Sequence, residues 1–304
     1  MIKFTCSVFI LVCFCSFTYS QDGVKNTFFS DGKLRQIENF KNGKLDGESR
    51  HYYKTGILKE ITNYRDGRKN GLSSSFYESG ILKEYVNYID NRFNGEFRTF
   101  HEKGILKEVG EYTNGLLVNS YRAYYESGEL KSEYLFVNGE KVGVSRDYYK
   151  NGVLKAEANF DSNLQNGMTK WYYESGKLKG IFNYGGGNLH GQAKEFYEND
   201  SLLSIKNYLY GKLDGVGYEY YENGKIRVES NFKSGFREGI TKSFYENGNL
   251  WTKQNYKKNI LDGETKIYRD NTSLWYIEIY ENGKLVLSKE YSEDEKLIEE
   301  KILR

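Results

Sequence analysis

The sequence predicts an all-β fold, an elongated single-sheet array of about 11 antiparallel β-hairpins of 24 residues each, with no helical domain. Three observations predict it. The same residue types return every 24 residues along most of the chain. Each copy holds two short runs rich in aromatic and β-branched residues, bounded by glycine turns and without a helical period. The chain has no proline, which suits an uninterrupted sheet.

The aromatic positions show the repeat most directly. The first aromatic row contains only Phe and Tyr and consists of Phe28, Tyr52, Phe76, Phe100, Tyr124, Tyr148, Tyr172, Phe196, Tyr220, Phe244 and Tyr268. A leucine row runs in the same phase from Leu34 to Leu274, with Ile226 as its one exception. A third aromatic row runs from Phe40 to Tyr280. Eleven copies in phase indicate a repeat architecture, in which each unit packs mainly on its neighbours.

One turn position admits only Gly and Asn, the residues that adopt a positive φ at least cost. Its members are Gly43, Gly67, Asn91, Gly115, Gly139, Asn163, Gly187, Gly211, Gly235, Asn259 and Gly283. The sequence therefore predicts a left-handed turn residue in every copy.

The strands of one copy are predicted at residues 48–53 and 58–64. Eleven such hairpins give about 22 strands and a sheet on the order of 100 Å long. Since no helix is available to cover an apolar face, we expect the sheet to curl into a half-pipe. Strand parity assigns Leu58, Tyr64 and Tyr52 to the core face. Arg50 has the parity of Tyr52, so we expect it at a strand end with its charge reaching solvent.

The second aromatic position of each copy is almost always Tyr, which indicates that the hydroxyl has a polar environment. We assign it to the opposite face and predict it as the candidate interaction face. This tyrosine row consists of Tyr53, Tyr77, Tyr125, Tyr149, Tyr173, Tyr197, Tyr221 and Tyr245. His101 and Arg269 replace Tyr in two copies.

Residues 1–20 have the pattern of a secretory signal peptide, with Lys3, an apolar run over 4–17 and a cleavage site before Gln21. An uncleaved anchor and a lipoprotein at Cys13 or Cys15 are the alternatives, although neither cysteine follows the small residue that lipoprotein processing requires. All three cysteines lie in this leader, so the mature chain has no disulfide. We expect export to the periplasm, the cell surface or the medium.

After the signal peptide, we expect an N-terminal lead-in at 21–27 and the hairpin array at 28–287. Residues 288–304 form a charged C-terminal cap or a decayed half-repeat. Ile298 keeps the phase of the leucine row and favours the half-repeat, whereas Ser292 and Glu295 have the spacing of a helix start.

No candidate catalytic, cofactor-binding or metal-binding residue emerges. The histidines His51, His101 and His190 occupy three different repeat positions, and Asp46 and its equivalents stand in Leu-Asp-Gly turns. The net charge is +2 without a basic cluster, which argues against nucleic acid as a partner. We therefore expect a protein that is not an enzyme and needs no cofactor.

Two charged rows flank the same tight turn, and they are either a solvated ladder or a binding track. The glutamate row is Glu78, Glu102, Glu126, Glu174, Glu198, Glu222 and Glu246. The lysine row is Lys59, Lys83, Lys107, Lys131, Lys155 and Lys179.

The string from Tyr172 to Lys179, with the turn from Tyr208 to Gly215, resembles the MORN repeat variant of bacterial proteins labelled YwqK-type antitoxins. The resemblance covers Phe28 to about Leu285. It implies an elongated hairpin array with a binding or scaffold role.

These observations favour a non-enzymatic exported scaffold that binds a protein or a component of the cell envelope. The alternatives are an antitoxin or immunity protein that neutralises a toxin by contact, and a protein that binds cell wall or carbohydrate. The near-neutral charge argues against binding at a membrane surface.

Overall fold

The structure is a computed structural model that describes residues 22–303, so the predicted signal peptide lies outside the described residues. This range contains β-strands, turns and bends, and no helix. Consequently, none of the described residues forms a helix of the length and hydropathy that would span a membrane.

The chain divides into two compact units between Asn94 and Gly95. The strands that lie wholly in the first unit are β1 (Gly23–Phe28), β2 (Leu34–Lys41), β3 (Lys44–Leu45), β4 (Gly47–Tyr52), β5 (Leu58–Arg65), β6 (Arg68–Phe76) and β7 (Leu82–Ile89). The division falls within strand β8 (Arg92–Phe100).

The other strands of the second unit complete the described set. Its first ten are β9 (Leu106–Thr113), β10 (Leu116–Tyr124), β11 (Leu130–Val137), β12 (Glu140–Tyr148), β13 (Leu154–Asp161), β14 (Leu164–Tyr172), β15 (Leu178–Gly185), β16 (Asn188–Leu189), β17 (Gly191–Phe196) and β18 (Leu202–Leu209). Its last ten are β19 (Lys212–Leu213), β20 (Gly215–Tyr220), β21 (Ile226–Lys233), β22 (Phe236–Phe244), β23 (Leu250–Lys257), β24 (Ile260–Leu261), β25 (Gly263–Tyr268), β26 (Leu274–Glu281), β27 (Lys284–Tyr291) and β28 (Leu297–Ile302).

The predicted fold class is confirmed: the 28 described strands form a single open antiparallel sheet in a hairpin array. The two-residue strands β3, β16, β19 and β24 are the beginnings of longer strands that are interrupted before a glycine. Counted with the strands that follow them, they give twelve hairpins among the described residues, one more than the eleven copies seen in the sequence. The predicted curl into a half-pipe stays a prediction.

The predicted left-handed turn position is confirmed in every copy. Its glycines and its three asparagines all have positive φ, with values between 66° at Asn91 and 92° at Gly235. The asparagines add a contact that glycine cannot make, because Asn91, Asn163 and Asn259 each accept the backbone N–H of a residue in the preceding repeat.

A β-bulge beside Tyr52 decides which face Arg50 and Tyr52 occupy. Along β4 the pairing moves by one residue, from His51 to Tyr52, whereas along β5 it moves from Glu60 to Leu58, so the extra residue of the bulge lies on β5. The alternation along β4 is therefore unbroken, and Arg50 shares a face with Tyr52. Their equivalents Arg146 and Tyr148 show this, because both donate to Glu133. Tyr64 lies on the other face, so the assignment of Tyr52 to one face with Tyr64 was wrong. The expectation that Arg50 lies at a strand end was also wrong, because Arg50 lies within β4.

The most buried positions of the core face carry small side chains. Ser49 and Thr62 lie opposite each other and are 3% exposed, while Leu58, Tyr52 and Tyr64 are only partly buried. Hydroxyl groups in this central row bond across strands, as Thr62 does to Ser73 at 2.8 Å. Tyr64, two residues after Thr62, flanks these small side chains on the same face.

The C-terminal tail forms a strand. Leu297 pairs with Tyr291 as Leu58 pairs with Tyr52, so Leu297 occupies the leucine-row position. The assignment of that position to Ile298 was wrong by one residue, because β27 has eight residues where β6 has nine. The helix that Ser292 and Glu295 could have started does not form; Glu295 instead takes a positive φ in the turn before β28.

Candidate interaction surface

The tyrosine row forms a ladder of hydrogen bonds between repeats. The hydroxyl of Tyr53 donates to the carbonyl of Phe76, the first aromatic of the next repeat, at 2.8 Å. The same bond, always to the residue 23 positions later, is made by Tyr125, Tyr149, Tyr173, Tyr197, Tyr221 and Tyr245 at 2.7–2.9 Å. The prediction that this row needs a polar partner for its hydroxyl is confirmed, and the partner is the protein backbone.

Two of the three exceptions to the row preserve the ladder, whereas the third, Phe29, has no hydroxyl. His101 places Nε2 3.1 Å from the carbonyl oxygen of Tyr124, so this nitrogen carries the proton if the contact is a hydrogen bond. Arg269 donates from its guanidinium to the carbonyls of Tyr291 and Ser292. Both side chains therefore replace the phenol as a donor to the next repeat.

The lysine row covers the tyrosine rings. The ammonium groups of Lys59 and Lys83 lie 5.6 and 5.7 Å from the ring centroids of Tyr53 and Tyr77. Lys131, Lys155 and Lys179 lie 5.4–5.8 Å from the rings of Tyr125, Tyr149 and Tyr173. These are cation–π distances, at which the ring attracts the ammonium group.

All eight tyrosines of the candidate face are partly buried. Burial, with smaller contributions from nearby carboxylates, raises the pKa of Tyr125, Tyr173 and Tyr245 above its ordinary value. These hydroxyls therefore stay protonated and act as donors at neutral pH. What the tyrosine row presents to a partner is the uncovered part of each ring beside its lysine, because the hydroxyl is already bonded.

A second ladder, of asparagines, was missed from the sequence. Asn63 donates from its amide to the carbonyl of Leu72, beside the positive-φ glycine Gly71. Asn39, Asn159, Asn183, Asn207 and Asn231 make the same bond to the residue nine positions later. The signal was present, because Asn stands directly before the third aromatic in most copies.

The aspartates of the Leu-Asp-Gly turns also join repeats, as turn chemistry predicts. Asp46, Asp214 and Asp262 each accept the backbone N–H of a turn residue 20 positions later. His51, His101 and His190 occupy three different positions of the repeat. Within residues 22–303, no three His, Cys, Asp or Glu side chains are grouped as ligands for a metal ion.

The array and its ladders define the chain as a tandem β-hairpin repeat protein, with one strand pair in each 24-residue copy. Ten segments match the sequence profile of the MORN repeat variant, and together they cover more than half of the chain. The chain therefore belongs to the MORN repeat variant family. The matched segments are 21–42, 45–66, 69–90, 93–114, 117–138, 141–162, 165–184, 189–210, 213–234 and 237–258.

No curated protein matches the chain. Among solved structures, it is similar to chains in a crystal structure of TcdB2-TccC3, with 12% identity, 92% of this chain and 18% of that chain covered, and a TM-score of 0.19. A TcdB2-TccC3-Cdc42 structure gives 11% identity, 90% and 20% coverage, and a TM-score of 0.18. The chain spans about a fifth of the length of these solved chains. TM-scores this low support no argument about fold or function.

Proposed function

We propose that the protein is a non-enzymatic scaffold that acts after export and binds a protein or an envelope component through its repeated surface. The observation that carries the proposal is the tyrosine row with its lysines. The same pair, a partly buried ring beside an exposed ammonium group, recurs at one position of successive repeats. A repeated surface suits a partner that is extended or that carries several copies of one motif.

Export is supported by the pattern of residues 1–20. The test is to express the full chain with a C-terminal tag in the host of origin and to sequence the amino terminus of the recovered protein. A mature chain that begins at Gln21 and is recovered outside the cytoplasm supports the proposal. A cytoplasmic protein that keeps residues 1–20 overturns it.

The binding role is tested by reversing charge within the lysine row. Lys155→Glu and Lys179→Glu together place carboxylates beside the rings of Tyr149 and Tyr173, where the structure has ammonium groups. We expect crosslinked capture of the native partner to fall by about tenfold or more, since one or two charge contacts change sign. The matched control is Lys233→Glu with Lys257→Glu, two exposed lysines outside this row. Equal capture by both variants contradicts a role for the row.

An in-phase deletion tests the modular character of the scaffold. Removing residues 149–220 takes out three 24-residue copies of the second unit and rejoins equivalent positions of the repeat. Because each repeat contacts mainly its neighbours, we expect the shortened chain to fold and to capture less partner. Aggregation or complete loss of structure would show that the copies are not interchangeable.

A further inference from the structure

Two tryptophans occupy the position of the lysine row in late copies, after Leu203 and Arg227. In the phase of Lys59 and its equivalents, two successive late copies carry Trp251 and Trp275. Trp251 is 46% exposed and Trp275 38% exposed. In five other repeats a lysine at this position lies over the tyrosine ring. The hydroxyl ladder therefore does not require an exposed apolar side chain at this position.

Each indole is held by the ladder residue of its own hairpin. The ring of Trp251 lies 5.8 Å from that of Tyr245, and the guanidinium carbon of Arg269 lies 5.3 Å from the ring of Trp275. Arg269 is in turn fixed by its bonds to the carbonyls of Tyr291 and Ser292. The two indoles are therefore positioned by side chains that are themselves hydrogen-bonded or packed, and each keeps a large exposed fraction.

The spacing of the two indoles is set by the sheet. Trp251 lies on β23 and Trp275 on β26, with β25 paired between these strands. Neighbouring strands lie about 4.8 Å apart, so equivalent positions on β23 and β26 are separated by roughly 10 Å. Two flat apolar surfaces at a fixed interval suit a linear ligand whose apolar faces also recur at a fixed interval.

Hydrogen-bonding side chains precede each tryptophan. Asn247 and Asn249 stand in the turn before β23, and Asp270, Asn271 and Ser273 in the turn before β26. Asn249 donates to the carbonyl of Asp270 at 2.7 Å, and Asn247 donates to the Asp270 carboxylate. These bonds tie the two turns together, and each turn lies directly before the strand that carries a tryptophan.

We propose that Trp251 and Trp275 form a two-platform binding site for a β-linked glycan chain, separate from the protein-binding surface proposed above. A pyranose ring combines an apolar C–H face, which packs on an aromatic ring, with equatorial hydroxyls, which bond to amides and carboxylates. The exchange of lysine for tryptophan removes two positive charges, which favours an uncharged ligand over an anionic one. An exposed indole pair, with polar turn residues directly before each tryptophan strand, fits these requirements.

The test is a fluorescence titration with soluble hexamers of β-1,4-linked glucose, β-1,4-linked N-acetylglucosamine and β-1,3-linked glucose. Trp171→Phe in the full chain leaves Trp251 and Trp275 as the only tryptophans. We expect at least one hexamer to change the emission saturably. Trp251→Lys and Trp275→Lys should each raise the Kd by about tenfold, and the pair together, which leaves no tryptophan to report emission, should abolish binding measured by calorimetry. Lysine is the residue of the same position in other repeats, so these variants fit the fold.

The matched control is Trp171→Ala, which removes an exposed tryptophan of a different repeat position and should leave the Kd unchanged by calorimetry. The proposal is overturned if none of the hexamers binds, if the lysine variants bind as tightly as the parent, or if a proline-rich peptide binds the indoles instead. Partner capture through Lys155 and Lys179 is a separate measurement, so either proposal can fail while the other stands.

Discussion

The hydroxyl of Tyr173 donates a 2.7 Å hydrogen bond to the carbonyl of Phe196, which begins the next copy of the repeat. Tyr173→Phe removes this bond and leaves a partly buried carbonyl without its donor. We expect the free energy of unfolding to fall by about 1 kcal/mol, measured by urea denaturation. Tyr172→Phe is the control, because the first aromatic row accepts either residue. An equal loss in both variants would show that the effect does not come from this hydrogen bond.

Ala158 lies between two buried hydroxyls that have no partner among the described residues. It is opposite Ser145 on β12 and opposite Thr169 on β14. Ala158→Ser adds a hydroxyl where Thr62 and Ser73 already bond in another repeat. We expect a gain of about 1 kcal/mol in the free energy of unfolding, since buried polar groups without partners are costly.

The control for this gain is Ala193→Ser, at a buried alanine of the same row that lies opposite Lys206. No unsatisfied hydroxyl faces it there, so we expect no stabilisation. If Ala158→Ser lowers the urea midpoint, the two hydroxyls already have partners or the site has no room for the added atom.

Gly110 makes room for the ring of Phe97, which lies directly opposite it on β8. A Cβ atom at Gly110 would lie 2.7 Å from Cε1 of Phe97. Gly110→Ala should therefore lower the free energy of unfolding by about 2 kcal/mol, although alanine without such a clash is favoured over glycine in a strand. The double variant with Phe97→Ser, the residue that three equivalent positions carry, should recover most of the loss in thermal unfolding.

A partly buried tyrosine makes the second unit sensitive to alkali. Burial, reinforced by a 2.6 Å bond from its hydroxyl to Asp147, raises the pKa of Tyr134 to about 12. An unfolded tyrosine ionises near pH 10, so the folded chain holds this proton more tightly. The resulting stability is fully present below about pH 10 and is lost as the pH rises through about 12.

We therefore expect the urea midpoint to fall between about pH 10 and about pH 12, with phenolate absorbance appearing as the chain unfolds. Tyr134→Phe should reduce the slope of this fall, because it removes one of the groups that titrate. A midpoint that stays constant over this range would contradict the assigned pKa.

The sequence was sufficient for the hairpin array and for the left-handed turns, because periodic aromatic and glycine positions report backbone geometry directly. Periodicity also identified the tyrosine row and its need for a polar partner, but it could not show that this partner is a backbone carbonyl of the next repeat. The bulge beside Tyr52 could not be predicted from the sequence, because it leaves the number of residues per copy unchanged. Gly110 and Phe97 were missed because their pairing belongs to one repeat and forms no row.

The candidate site could likewise be predicted only in part. Residues that recur in most copies were visible as rows in the sequence. The role proposed for Trp251 and Trp275 depends on strand spacing and side-chain exposure, which the sequence does not show. Trp171, by contrast, stands alone in its repeat position, next to the ladder tyrosines Tyr172 and Tyr173. The structure places it 38% exposed at a shallow depression that Phe182 and Glu195 also line.

The hydroxyl ladder gives the array a polarity. Each of the seven phenols with a described ladder bond donates its proton to the copy that comes later in the chain, and none of these bonds runs to the copy before. Removing a later copy therefore strands a donor, whereas removing an earlier copy strands an acceptor that water satisfies more easily because a carbonyl has a second lone pair. Truncations of equal length from the N-terminal and the C-terminal side of the array therefore leave different groups without partners. Loss of order should spread through the repeats unequally from these two sides.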